Sequence, residues 1–377
     1  MKNNELLDKV KNKNTIIIFG YDLSGIYLKR ILLDEKNKVF FCDNSKAKQG
    51  KKGNIIIYSV EEAAKIRDAV FVITSKAYQH IMTEQLQMLG VSDDRIIWGR
   101  TDELDFRVRE ENKLHKYKPL DMLQFEVDIV QHCNLDCKCC SQFSCIAEEE
   151  YVDINIFERD FKRLSELFNR SCKRIYLIGG EPLLHPRIND CIRIARKYFE
   201  IGEISIFTNG ILLLNQKDDF WKCCRENNVS IIVTKYPIAI NHEAMIEKAK
   251  VEKVKFEFFG SSDDFKYMVT LGLDIDGTQD IESAFTNCVE ANNCIKLKDG
   301  KLYTCTRPAA IKKFNSFFDM NLKVTDADYI DIYDDLDKSE VLERLAKPIP
   351  FCKYCNNTGD KKALKWGKTS RRIDEWM

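Results

Sequence analysis

The chain has 377 residues, 44% of them hydrophobic and 31% charged, enough for two or three domains of roughly 100–200 residues and too apolar for wholesale disorder. Its 59 basic and 59 acidic side chains cancel, which argues against a generic nucleic-acid binder, and no apolar run approaches the ~18 residues of a membrane helix. Residues 1–14 are polar and do not read as a signal peptide, so a cytoplasmic protein is expected, with its 15 cysteines reduced and metal ligation their leading use.

Strands are expected at residues 15–20, 38–43, 69–74 and 95–98. Helices are expected between them at 23–33, from 59 to 67 and at 77–89, the second opened by a capping box of Ser59 and Glu62. This alternation implies a parallel sheet with helices on both faces. Residues 99–120 are charged, lack an apolar period and read as a boundary. A second series follows, with strands at 123–130, 174–178, 203–207, 230–234 and 255–258 and helices such as 156–168 and 188–198, a pattern that closes or partly closes into a barrel. From Cys288 the elements shorten and cysteine returns.

Five cysteines fall between Cys133 and Cys145. Cys133, Cys137 and Cys140 form a C-x3-C-x2-C loop directly after the first strand of the second series. Three thiolates on a [4Fe-4S] cluster leave one iron open, and such clusters need soft thiolate ligands; a zinc site is the bland alternative. Gly179-Gly180-Glu181-Pro182 ends the next strand and Thr208-Asn209-Gly210 the one after, all at carboxyl ends, where barrel active sites assemble. The cysteine loop resembles the signature of radical S-adenosylmethionine (SAM) enzymes, and Gly179-Gly180-Glu181-Pro182 resembles the family's GGEP motif, whose backbone and Glu hold the SAM amino group. The side chains missing at Gly179 and Gly180 would let backbone approach a ligand closely. The resemblance implies that the open iron chelates SAM, that SAM is cleaved to methionine and a 5′-deoxyadenosyl radical, and that this radical removes hydrogen from a substrate C–H bond. It adds Thr208 and Asn209 as further SAM contacts. Many family members carry an aromatic residue where Cys139 stands.

The second group is Cys288, then eleven residues to Gly300, four to Cys305, and forty-six more to Cys352-Lys353-Tyr354-Cys355. Residues 298–301 read as a hairpin turn that brings Cys288 and Cys305 together. The spacing resembles the twitch version of the SPASM extension of radical SAM enzymes, in which four cysteines, here Cys288, Cys305, Cys352 and Cys355, hold an auxiliary [4Fe-4S] cluster. Structural zinc is the alternative. Cys294 is left spare. A fully ligated cluster has no open iron; in resembling enzymes it accompanies oxidation of an alcohol to a carbonyl.

Gly20 and Gly25 lie between the first strand and helix, where backbone N–H groups could face a phosphate, and Asp43 stands where a ribose-binding acid is placed. Residues 42–58 resemble the Rossmann-like domain of sugar-modifying enzymes. The expected fold is therefore α/β: a Rossmann-like parallel-sheet domain at 1–105, a linker at 106–119, a partial (β/α)6 radical SAM barrel at 120–280, a small cysteine-rich twitch domain at 281–360 and a tail at 361–377 that covers the barrel mouth or stands exposed.

The expected activity is hydrogen abstraction from a sugar or nucleotide-linked sugar and oxidation of an alcohol in glycan or related biosynthesis. An external one-electron reductant such as flavodoxin or ferredoxin is expected as partner, and neither nucleic acid nor membrane. Alternatives are a redox-neutral epimerase with Cys294 as hydrogen donor, a peptide maturase, and a non-catalytic Fe–S or zinc protein. No base is legible; Lys235, Tyr236 and Asp276 are guesses. Cys42, Cys145, Cys172, Cys191, Cys223 and Cys224 are read as packing residues. His132 is read as oriented by a nearby backbone carbonyl, with tuning of the cluster as the alternative, and His185, before Pro186, as beginning a helix.

Overall fold

The computed structural model describes residues 3–10, 13–32, 38–53, 55–75, 77–99, 104, 110–111, 113–259, 267–269, 272–357 and 363–377. The boundaries expected at 105–106 and 360–361 lie outside these residues. The first sheet contains β1 (Thr15–Phe19), β2 (Lys38–Cys42), β3 (Gly50–Lys52), β4 (Ile55–Tyr58), β5 (Ala69–Ile73) and β6 (Ile96–Trp98), in the order β3-β4-β2-β1-β5-β6. All neighbours run parallel except β3, an antiparallel edge strand. β5 is buried at every position and β1 at all but its first, the continuous apolar reading of a strand covered on both faces.

Helix Leu23–Leu32 covers one face, with Leu28 and Leu32 against Ile16 and Ile18. The other face is covered from Val60–Ala64 and Gln79–Met88, with Val60, Ala63 and Leu86 against Ile17 and Phe19. The Ser59–Glu62 capping box is present.

The second sheet is built from β7 (Gln124–Val130), β8 (Ser171–Gly179), β9 (Ile201–Thr208), β10 (Val229–Val233) and β11 (Phe256–Phe258), successive and parallel. Beyond them lie β12 (Tyr267–Val269) and β13 (Gly272–Leu273), then the hairpin of β14 (Lys296–Lys298) and β15 (Lys301–Tyr303), and β16 (Ile330–Asp331). The hairpin turn is the expected one, with Asp299 and Gly300 both at positive φ. β14 pairs parallel to β7, giving the order β11-β10-β9-β8-β7-β14-β15-β16. Residues 296–303 thus extend the sheet of the second series, where a separate unit was expected. β13 pairs with β17 (Cys355–Asn356), and β12 with β18 (Ala363–Lys365).

On β7, Phe125, Val127 and Ile129 pack outward under the helices, while Glu126 and Asp128 meet Lys296 of β14. Helix Ile154–Leu167 starts two residues before its expected position because Asp153 caps it, accepting from the N–H groups of Asn155 (2.8 Å) and Ile156 (3.0 Å). No described helix is long and apolar enough to cross a membrane.

Candidate cofactor and metal site

The ends of β7 and β8 lie side by side, and the loops that follow them build the site. Gly180 donates its N–H to the Val130 carbonyl (2.8 Å) and Glu181 to that of His132 (3.1 Å). A Cβ on Gly180 would stand 1.8 Å from the His132 oxygen, and one on Gly179, whose φ is +136°, 2.2 Å from the Val130 oxygen. The bare Cα positions were expected to admit a ligand; what they admit here is the backbone at the root of the cysteine loop.

Cys133, Cys137 and Cys140 line one cavity of about 250 Å³ with Gly179, Gly180, Thr208, Asn209 and Tyr236. Glu181 and Pro182 stand behind it. Pro182 opens the turn Pro182–Leu184. Glu181 is fully buried, accepting from the Thr208 hydroxyl (2.6 Å) and from the N–H groups of Asn209 (2.9 Å) and Leu183 (3.0 Å). Burial pushes its carboxyl up to about 7 against these three donors. Through these bonds Glu181 fastens the β8 loop to the end of β9. That aims Asn209, whose amide donates to Asn134 Oδ1 (2.8 Å) and lies 3.8 Å from the Cys133 sulfur.

Burial pushes the Cys133 and Cys137 thiols up to about 12. Cys140 is drawn below its ordinary value, chiefly because the Cys145 thiol donates to its sulfur. Cys145, read from sequence as packing, is therefore a fourth thiol in contact with the set. Two buried polar atoms of the cavity wall, Gln142 Oε1 and Ser144 Oγ, have no partner among the described residues, as expected where a polar ligand completes the site. Soft thiols, unpaired polar atoms and cavity together fit a cluster and a polar ligand such as SAM.

Cys288, Cys305, Cys352 and Cys355 are all buried. Cys288, Cys352 and Cys355 share one buried cluster, and burial, then these neighbouring thiols, push Cys305 well up. Cys305 precedes helix Thr306–Phe318, while Cys355 pairs with Leu273 in the β13–β17 ladder. Ala291 N–H points at the Cys288 sulfur (3.4 Å) and the Arg307 guanidinium at that of Cys355 (4.0 Å). Among the described residues no three His, Cys, Asp or Glu side chains converge tightly enough for a single metal ion. A buried set of four thiols is a donor set that a four-iron cluster or a tetrahedral zinc could use.

Cys294 lies beside Glu126 and Glu290, and Lys116 neighbours it together with Cys288 and Cys305. His132 Nδ1 accepts from Glu150 N–H (3.4 Å), an N–H where a carbonyl was expected, and His185 Nδ1 accepts from Arg187 N–H (3.0 Å) just before helix Ile188–Tyr198. Lys235 lies over the Phe258 ring.

Lys313 donates to the Gln142 carbonyl (3.2 Å), and burial draws its ammonium down to about 8. The unfolded chain, with lysine near ~10.4, then holds more protons between those values, so this group adds stability as pH rises from 8 to 10. The difference in thermal midpoint between the metal-free wild type and Lys313→Met is expected to grow in favour of the wild type over that window. A difference that stays flat or shrinks contradicts the buried-lysine geometry.

In the first sheet, a Cβ on Gly25 would lie 2.3 Å from the Gly20 carbonyl oxygen, so Gly25 serves close helix–strand packing; Gly20 has φ +110°. Asp43 is engaged by the protein on both oxygens, from Ser45 N–H (2.9 Å), Tyr21 N–H (2.8 Å) and Lys48 (3.1 Å).

No family model matches the chain. It is 33% identical over 92 residues to the GTP 3′,8-cyclase of Chlorobaculum tepidum, 24% of this chain and 27% of that protein. It is 35% identical over 95 residues to the tungsten-containing aldehyde ferredoxin oxidoreductase cofactor-modifying protein of Pyrococcus furiosus, 24% of each chain. The chain thus spans about a quarter of the length of these curated relatives. Among solved structures it is similar to BtrN in complex with AdoMet and 2-DOIA, with 20% identity, 63% of this chain and 95% of that one covered and a TM-score of 0.40. It is also similar to anSMEcpe with bound AdoMet, with 20% identity, 36% and 42% covered and a TM-score of 0.30.

Proposed function

We propose that the protein is a radical SAM oxidoreductase acting on a sugar or nucleotide-linked sugar, oxidising an alcohol to a carbonyl in glycan or related biosynthesis. The observation that carries this reading is the division of seven cysteines into a set of three at a cavity and a buried set of four. When bound, an open-iron cluster with SAM supplies a carbon-centred radical, and a fully ligated cluster supplies an electron acceptor.

Cys133, Cys137 and Cys140 would hold the first cluster. Gly179, Gly180, Thr208 and Asn209 would wall the SAM beside it, with Glu181 and Pro182 fixing that wall from behind. Cys288, Cys305, Cys352 and Cys355 would hold the auxiliary [4Fe-4S] cluster. Oxidising an alcohol carbon to a carbonyl removes one hydrogen atom, one proton and one electron; the group beside the three-cysteine cavity would take the first, a base the second, and the group held by the set of four the third. The first sheet supports a nucleotide-sugar site in a Rossmann-like domain through its reversal of strand order between β1 and β5, beside Gly20 and Gly25. A flavodoxin or ferredoxin in the cytoplasm would supply the electron that starts the reaction.

The test is anaerobic incubation of the loaded protein with SAM, reductant and a panel of sugars and nucleotide sugars, read by mass spectrometry. A product lighter by two hydrogens, formed with 5′-deoxyadenosine, is expected. A product of unchanged composition carrying one solvent deuterium would replace this reading with epimerisation, and turnover of peptides alone would replace it with peptide maturation.

A further inference from the structure

The C-terminal segment is laid along the cysteine loop. Lys138 N–H donates to the Gly367 carbonyl (2.9 Å) and Thr369 N–H to that of Asp136 (3.0 Å), with Cys137 bridged to Lys368 between them. Arg371 reaches Asp136 (3.3 Å). Trp376 is buried, donates from its indole to the Cys140 carbonyl (3.0 Å), and packs on Phe143, Phe314 and Phe318. Within this strap Trp366 points its indole Nε1–H at the Cys137 sulfur, 3.3 Å away. The Tyr236 hydroxyl, from the loop after β10, bonds the same sulfur, and the two rings lie 5.9 Å apart. One thiol of the three thus receives donors from two elements far apart in sequence.

Hydrogen bonds to a ligand sulfur draw off negative charge. They favour the reduced, more negative cluster and raise its reduction potential. We propose that Trp366 and Tyr236 are positioning residues that set the reduction potential of the SAM-binding cluster through Cys137, which makes the C-terminal segment part of the site. This rests on the reading that Cys133, Cys137 and Cys140 hold a cluster. Trp366→Phe and Tyr236→Phe each keep the ring and remove the donor.

The experiment is an EPR-monitored redox titration of the full-length, anaerobically reconstituted protein, following the signal that SAM perturbs. Both variants should bind as much iron as the wild type, and each should show a more negative midpoint, the double variant the most negative. Should Trp366→Phe take up less iron, Tyr236→Phe carries the same reading. A fully loaded variant with a midpoint equal to or above that of the wild type overturns the proposal. A wild-type chain that takes up no iron removes the cluster reading itself, and is told apart by its iron content.

Discussion

Cys133→Ala is expected to abolish 5′-deoxyadenosine formation and to lower bound iron from about eight atoms per chain to about four. Cys352→Ala should lower the iron by the same amount while SAM cleavage survives and substrate oxidation is lost. The expectation follows from where the two sets lie. Cys133 faces the cavity with Cys137 and Cys140, beside the ends of β8 and β9, so its loss removes one of only three ligands. Cys352 packs with Phe285, Phe314 and Phe351 and is not among the residues lining that cavity, so its loss leaves the cavity's three thiols in place. Iron analysis and product chromatography on the two variants read both effects; equal loss of SAM cleavage in both contradicts the division of roles.

Lys296→Met should cost about 3–5 kcal/mol, because it leaves buried carboxylates without a counter-charge. That is a large share of the roughly 5–15 kcal/mol that holds a typical domain. Lys296 Nζ is 2.5 Å from Asp128 Oδ1 and 3.0 Å from Glu126 Oε2, and the lysine side chain is 1% exposed. Burial alone would raise Asp128; the Lys296 ammonium overrides it and holds the carboxyl below its usual value. Lys296 is held above its usual value, its burial overcome by Asp128 and Glu126.

A depressed carboxylate stabilises above its unfolded value and loses this as pH falls through the folded one, while a raised lysine stabilises until pH rises through its folded value. The wild-type contribution is therefore present across neutral pH. In Lys296→Met the stranded carboxylates can take up a proton on mild acidification, so the deficit should be larger at pH 7 than at pH 5. Chemical unfolding at the two values measures it; an equal deficit points to lost packing alone.

Strands β1, β2, β5 and β6 and strands β7 to β11 were legible because parallel strands covered on both faces leave short apolar runs, as in Ile16–Ile17–Ile18 and across β5. The helix after Cys305 was not. Its buried face runs without a break from Thr306 to Ile311, so no helical period shows. The continuity of β14 with β7 was hidden as well, because Lys296 reads as a surface residue until Glu126 and Asp128 are seen opposite it.

At the site, the cysteine spacings announced the two sets, and strand ends placed Gly179 and Thr208 beside the first. Glu181 turns inward because Thr208 and Asn209 donate to it across the loop, a pairing that spacing does not reveal. Trp366 sits 229 positions from Cys137, and nothing local marks it as a neighbour. Cys145 is only five residues past Cys140, but only the fold turns its thiol onto that sulfur.

The central claim is that the three-cysteine loop holds a SAM-cleaving cluster. Its most direct test is the wild-type protein, reconstituted anaerobically and incubated with SAM and a strong one-electron reductant. Formation of 5′-deoxyadenosine and methionine, dependent on the reductant and absent in Cys137→Ala, is the predicted result. A chain carrying its full complement of iron that yields no 5′-deoxyadenosine under reducing conditions would contradict it.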